Sequence, residues 1–415
     1  MYYEKCEGIG KIGIQRTYIK KWKLFVGSII IFMATFIVSY HAYFLPGTDI
    51  YYHTTWALED VDSIFDFISN VLSYPLWHYT TRFLYVVFGF EEPMAAAIAM
   101  AMYNMLTYIA IDYFCKELFP EICDEAGNYI LLIMMVFFVG PLYYPRFNIH
   151  YYEGQWSPNP WHNPTNITVR LFTVLALTLI GLIIENAVKM YHYILLAVVL
   201  LLSALAKPAF LQGIIPGLGL YMIISMFIKK DKNLLVKYIK IIVAFIPSVM
   251  YMVYQFFMTV TTNKSNSQNQ SDVMGVGFAW GREMHEWTTN MGMSFLLAFA
   301  FPVIVFVFNY KTVLKNKIVQ IICCFEVAAW LEGALLYFKG KEGACDFVWA
   351  SILSMFMVWL IAIIIFIKDH YEAREEKKTI MYWLYEVISY IALGGHLFLG
   401  ILKWMVNVGI INVAL

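Results

Sequence analysis

The sequence predicts an all-α, polytopic transmembrane protein, and three observations predict it. Apolar residues make up 61% of the 415 residues and charged residues only 14%, against about 45–50% and about 25% in a soluble domain. The apolar residues fall in runs of the roughly 20 that a helix needs to cross a bilayer. Lysine and arginine gather in short tracts between those runs, the pattern expected of cytoplasmic segments. Mean hydropathy is +0.64. The formal net charge is zero, so no global field favours nucleic acid, and none is expected as a partner. The expected partner common to the whole chain is the lipid bilayer.

Candidate spans are 24–44, 93–115, 129–145, 166–185, 190–206, 209–227, 235–260, 292–310, 317–338, 346–367 and 380–404, about eleven by the length criterion. Segment 76–90 is apolar but short. The lysine-rich tracts 1–23, 229–240, 311–317 and 368–378 belong in the cytoplasm. Working back from 229–240 puts 145–165 outside and makes 93–115 run inward. All of 45–92 is then external and 76–90 does not cross. Making it a span would invert the charge bias of every later loop. The N-terminus is expected in the cytoplasm and the C-terminus outside.

The first apolar run is longer than a signal-peptide core and ends in no small-residue cleavage site, so it reads as a retained helix. Within 45–92, Val61, Ile64, Phe65, Ile68, Val71 and Leu72 recur at helical spacing, with Glu59, Asp60, Asp62 and Asp66 on other faces. That is an amphipathic helix lying in the interface. Pro75 starts a second, giving two juxtamembrane helices in the first external loop. Segment 261–291, rich in Asn, Gln and Ser at its start, reads as a further external loop. The whole chain, 1–415, reads as a single transmembrane domain. The cysteines Cys6, Cys115, Cys123, Cys323, Cys324 and Cys345 form no CxxC pair or Cys/His cluster, so neither a disulfide framework nor a zinc site is expected.

The order of a first span, an external acid (Asp49), juxtamembrane helices and a second span resembles the GT-C superfamily of integral-membrane glycosyltransferases. Those proteins often carry an acid soon after the first span, then a proline-centred segment of the type His-Pro-Pro-Leu-Tyr-Tyr and an aliphatic run ending in Phe-Gly. Here Tyr74, Pro75, Leu76, Trp77 and His78 correspond to that segment, and Phe88 and Gly89 to its end. The chain departs from the pattern in having one proline and no second acid beside Asp49. The resemblance covers roughly 22–115 and implies a GT-C type fold. It also implies a polyprenyl-phosphate-linked sugar as donor and a glycan or lipid acceptor in the cell envelope. A bacterial plasma membrane is the expected location.

Asp49 suits a turn or cap and equally a general base that deprotonates an acceptor hydroxyl. His53, four residues on, can share its helical face. The loop 145–165 packs Arg146, His150, Glu153, Trp156, Trp161, His162 and Asn163 between prolines. Aromatic faces with a few polar groups suit a carbohydrate or lipid-phosphate cleft, or an interfacial aromatic belt. Arg170 and Lys207 are cations at the apolar edge, suited to hold and neutralise a lipid phosphate or to snorkel to headgroups. Arg282 and Glu286 can share a helical face, and Glu326 and Glu332 fall inside a span. No phosphate-binding glycine loop, serine-hydrolase elbow or HExxH motif occurs. No cofactor is expected. A divalent metal is possible chemistry but not expected, because hard cations want several oxygen ligands and Asp49 has no acidic neighbour before Glu59. The expected function is inverting glycosyl transfer on the external face, with Asp49 as base and His53, His78, Arg146, His150, Glu153, Trp161, His162, Asn163, Arg170, Lys207 and Arg282 around the substrates. The alternatives are a polysaccharide polymerase and a lipid-linked glycan flippase or transporter.

Overall fold

The computed structural model describes residues 2–45, 47–60, 63–124, 127–146, 157–185, 188–229, 232–261, 275–286, 288–339, 346–372 and 379–411. The first helix, α1 (Tyr2–Tyr43), contains the apolar stretch Ile19–Tyr43. Three short helices follow: α2 (Asp49–Ala57), α3 (Ile64–Asn70) and α4 (Leu76–Phe88). Two of these answer the juxtamembrane helices read from the sequence, and α2 is additional. Ser63 caps α3 by accepting from the Asp66 N–H at 3.1 Å, which ends the preceding loop in the usual way. Gly89, at φ 66°, closes α4 in the left-handed conformation that favours glycine.

Among the described residues, the remaining regular structure is helical apart from one strand pair. In order come α5 (Glu92–Leu118), α6 (Asn128–Ile133), α7 (Pro164–Glu185), α8 (Met190–Ala206), α9 (Ala209–Lys229) and α10 (Lys232–Thr261). They are followed by α11 (Met291–Phe308), α12 (Tyr310–Lys315), α13 (Lys317–Leu335), α14 (Trp349–Glu372) and α15 (Ile380–Asn407). Strands β1 (Val276–Phe278) and β2 (Leu336–Phe338) pair antiparallel, so the described part of 261–291 is not all loop. Among the described residues, nine helices are long and apolar enough to cross a membrane, and two shorter apolar helices, Asn128–Phe137 and Met190–Ala206, join them. The class is therefore an all-helical, multi-pass membrane protein.

The ends of the bundle sort cleanly. At one end the Tyr43 hydroxyl donates to the Glu92 carboxylate at 2.8 Å. The exit of α1 and the start of α5 thus meet, and the chain between them begins and ends on one side. Thr35 and Asn104, joined at 3.0 Å, continue this antiparallel pairing deeper in the bundle. The opposite end carries the lysine contacts Lys23–Asn128, Lys317–Glu185 and Lys368–Glu121 at 2.5, 2.9 and 3.1 Å. A labelling experiment follows: a thiol reagent that does not cross membranes is expected to reach Glu92→Cys and Lys116→Cys from opposite faces. Both positions labelled from one face would overturn the arrangement.

The expected span 129–145 is not one continuous helix. After α6 the chain takes a short 3-10 turn, Met134–Phe137, and then continues without regular secondary structure. Pro141 lacks a backbone donor and disfavours helix at Gly140 before it. The freed backbone groups are satisfied by neighbours, as a bilayer demands. Gly140 N donates to the His396 carbonyl at 3.0 Å, Leu142 N to the Leu297 carbonyl at 3.0 Å, and His396 Nδ1 meets the Gly140 carbonyl at 2.6 Å. The crossing is so close that a Cβ on Gly400 would fall 2.0 Å from the Phe138 carbonyl. Pro302 breaks α11 in the same manner, and the Ala298 carbonyl it leaves unbonded accepts from Trp359 Nε1 at 3.2 Å. Helix α14 is buried along its whole apolar length and forms the centre of the core.

Candidate functional site

At the Tyr43–Glu92 end, Asp49 opens α2, where a carboxylate is favoured by the helix dipole. The preceding Thr48 hydroxyl does not cap α2. It turns back to the carbonyls of Ala42 and Leu45, at 2.7 and 3.1 Å. Asp49 is thereby fixed just beyond the end of α1. Its side chain is 37% exposed, and the His162 Nε2, itself a third exposed, lies 3.9 Å from its Oδ2.

Asn163 is the hub of the arrangement. Its Nδ2 donates to Asp49 Oδ2 at 2.6 Å. Its Oδ1 accepts from the Asn166 backbone N–H at 2.8 Å, the Thr165 hydroxyl at 3.1 Å and Lys207 Nζ at 3.3 Å. A backbone N–H and an ammonium can only donate, so the amide has one orientation. The residue that caps α7 therefore links an acid on α2 to a cation at the α8–α9 turn. Lys207 is buried, with its ammonium 3.8 Å from the centre of the Trp349 ring at the start of α14. Burial pulls its pKa down to about 8, opposed by the charges of Asp49 and Asp346. Tyr74, in the proline segment, feels the same two acids. Its phenol is pushed up mainly by burial, then by Asp346 and Asp49.

His53 sits one turn along α2 from Asp49, and its Nδ1 lies 2.9 Å from His78 Nε2. Both rings are buried, with Trp56 and Trp77 around His53 and Phe67 against His78. Burial, the largest cause, holds both imidazoles below the ordinary histidine range, His53 well below and His78 at about 3.

Arg170 lies deeper. It is 1% exposed, and its guanidinium donates to Asn104 Oδ1, Asn159 Oδ1 and the Pro158 carbonyl at 3.4, 3.3 and 2.8 Å, with its carbon 4.1 Å from the Phe356 ring centre. Its contacts are with the scaffold that carries the 157–163 loop. Trp161 is also scaffold, buried with Val38, Val408 and Phe138. Arg146 and Arg282 are exposed, and the Arg146 carbonyl accepts from the Thr289 hydroxyl. Glu326 meets Ser354 and Ser351 of α14 at 2.5 and 3.4 Å. His150, Glu153 and Trp156, and the Glu286 side chain, lie outside the described residues.

Among the described residues, no group of three or more His, Cys, Asp and Glu side chains gathers as metal ligands would. The Lys207–Trp349 contact and the histidine pair are the features that sequence reasoning missed. Their signals in the sequence were a tryptophan three residues after Asp346 and two histidines between α1 and α5.

The chain matches no known protein-family model and no curated protein.

Proposed function

We propose that the protein is a GT-C type glycosyltransferase that moves a sugar from a polyprenyl-phosphate carrier to a cell-envelope glycan or lipid on the external face. The observation that carries this reading is the Asp49–Asn163–Lys207 chain: a reachable carboxylate tied through one amide to a buried ammonium. An inverting transfer needs both. Asp49 takes the proton of the acceptor hydroxyl as its oxygen attacks the anomeric carbon. The bond to the carrier phosphate breaks on the opposite face, and the leaving phosphate keeps the electron pair beside Lys207. The lysine-rich opposite end supports an external position for Asp49 under the positive-inside rule.

The test is purified protein with a panel of polyprenyl-phosphate-linked sugars, reading release of polyprenyl phosphate and formation of a new glycoside. Transfer supports the proposal. Movement of the lipid-linked sugar across vesicles without a new bond would replace it with a transporter. In the same assay activity is expected to survive EDTA. Complete loss, restored by Mg²⁺ or Mn²⁺, would assign phosphate neutralisation to a metal ion.

The pH dependence has a definite sign. Lys207 is charged below about 8 and neutral above it. Donor affinity is therefore expected to be flat at lower pH and to fall as pH rises through and beyond that value. Lys207→Met is expected to lower affinity by about 1.5–3 kcal/mol, the worth of a charge-assisted contact, and to flatten the profile. An unchanged Kd in the variant would show that the ammonium serves only its contacts with Asn163 and Trp349.

A further inference from the structure

Lys207 carries an inference that rests on the glycosyltransferase reading and deepens it. Pro208 disfavours helix at the residue before it, and Lys207 leaves α8 extended, at φ −171° and ψ 136°. Its backbone N–H stays tied to the Ser203 carbonyl at 2.9 Å. The side chain departs from a fixed point and ends buried, 8% exposed.

An ammonium has three donors and no acceptor. Among the described residues, this one donates a single hydrogen bond, to Asn163 Oδ1 at 3.3 Å, and forms no ion pair with a carboxylate. Asp49 of α2 and Asp346 ahead of α14 act on it as charges beyond ion-pair reach. Asn163 stands between the ammonium and Asp49, with its Nδ2 on the acid at 2.6 Å. A buried ammonium with so few partners is costly. Its remaining support is the Trp349 ring, whose centre lies 3.8 Å from Nζ. A ring face attracts a cation, indole most strongly, and more so where water is excluded.

The fold holds Trp349 in place for this contact. It is the first residue of α14. A Cβ on Gly333 of α13 would fall 3.2 Å from Val348 Cα, so α13 passes against the backbone just ahead of the ring. The Phe347 and Phe338 rings meet at 4.8 Å and fix the same entry. The Trp349 ring also meets the His162 ring, with centroids 6.3 Å apart.

We propose that Trp349 is the positioning residue of the phosphate site: its ring holds the Lys207 ammonium as a cation where the carrier phosphate departs. It acts through Lys207, not on the reacting atoms.

The sign of its effect follows from the groups around the ammonium. Burial favours the neutral amine and pulls the Lys207 pKa down to about 8, while Asp49 and Asp346 oppose burial. His53 of α2, His162 ahead of α7 and Tyr74 ahead of α4 are the other titratable groups of the site. Both acids and Asn163 remain when the ring is removed, so its loss shifts the balance toward the amine.

The test separates this proposal from the reading beneath it. Carbon-13 lysine spectra of the full-length protein in nanodiscs, assigned with Lys207→Met, read the Lys207 titration with no ligand present. Trp349→Leu is expected to lower the midpoint by about one pH unit. Trp349→Phe is expected to lower it by less, because a benzene ring attracts a cation more weakly than indole. A midpoint unchanged in both variants, or raised, overturns the proposal whether or not any sugar is transferred. Trp349→Phe keeps the aromatic packing and decides the matter if Trp349→Leu does not fold. The second arm measures binding of farnesyl-phosphate-linked glucose, whose phosphodiester keeps one negative charge throughout. At pH 8 about half of Lys207 is charged in the wild type and about a tenth in Trp349→Leu, so the Kd is expected to rise about fivefold. At pH 6 it is expected to stay within about twofold of wild type. Equal losses at the two pH values would mark the ring as packing or a direct donor contact and overturn the positioning role. The expected lysine shift, with no donor bound by the wild-type protein at either pH, would keep Trp349 as the support of Lys207 and remove the glycosyltransferase reading.

Discussion

Asp49→Asn is expected to lower sugar transfer by about 100- to 10,000-fold, the range removed with a general base, while the protein folds as before. The local geometry makes this a clean substitution. Asp49 Oδ2 accepts a hydrogen bond from Asn163 Nδ2 at 2.6 Å, and an asparagine amide oxygen can accept the same bond. The helix-dipole contribution lost at the first turn of α2 is only about 0.3–1 kcal/mol. Basicity is the property that disappears. Donor binding at Lys207 is expected to persist, so the loss should fall on kcat. A variant turning over near the wild-type rate would remove Asp49 from the mechanism. A variant that no longer accumulates as folded protein would instead show that the Asp49–Asn163 contact serves the architecture.

Asn163 makes a complementary case. Replacing it with leucine removes the N-cap of α7, the tie to Asp49 and the partner of Lys207 at once. Its effects on stability and activity are not separable, and Asp49→Asn is the more informative change.

How far the sequence led depends on the physical signal each element carries. The long helices were legible because about 20 apolar residues in a row have few other uses; charge suggested that 45–92 stays on one side, and the Tyr43–Glu92 contact shows that the end of α1 and the start of α5 meet. The break after α6 was not legible as a break. Segment 129–145 is as apolar as a helix, and only Gly140 and Pro141 hint that the helix stops there. Its feasibility depends on Gly400, far along the chain, presenting no side chain. Helix α2 escaped because DIYYHTTWA has neither an apolar run nor a clear stripe. Within the site, Asp49 and Lys207 stood out as charges at a membrane edge. The roles of Asn163 and the histidine pair did not stand out. A polar residue that joins three elements looks, in sequence, like any polar residue in a loop. His53 and His78 lie 25 residues apart between α1 and α5, and nothing in their spacing says that α2 and α4 pack ring to ring.

Arg170 illustrates the same limit from the other side, and the prediction it supports is large. An intramembrane arginine invites a ligand role, and lipid phosphate was the expected one. The guanidinium instead meets Asn104 of α5, Asn159 and Pro158 of the loop ahead of α7, and Phe356 of α14. Asn104 also donates to Thr35 of α1, so one buried cation couples four helices to the loop that carries His162 and Asn163. Arg170→Ala would leave the Pro158 carbonyl and two asparagine oxygens short of a donor in a fully buried place. Hydrogen bonds to a charged group contribute about 1.5–3 kcal/mol each, so a loss of about 3 kcal/mol or more is expected, with a clear fall in Tm. Arg170→Lys should rescue little, because an ammonium cannot reproduce the planar fork that meets several acceptors at once. Activity should fall with the folded fraction, and donor Kd in the protein that remains folded should stay close to wild type. Thermal unfolding and donor binding measured on the same purified samples decide the matter. A variant with the wild-type Tm and a donor Kd raised tenfold or more would return Arg170 to the lipid phosphate and leave its scaffold contacts secondary.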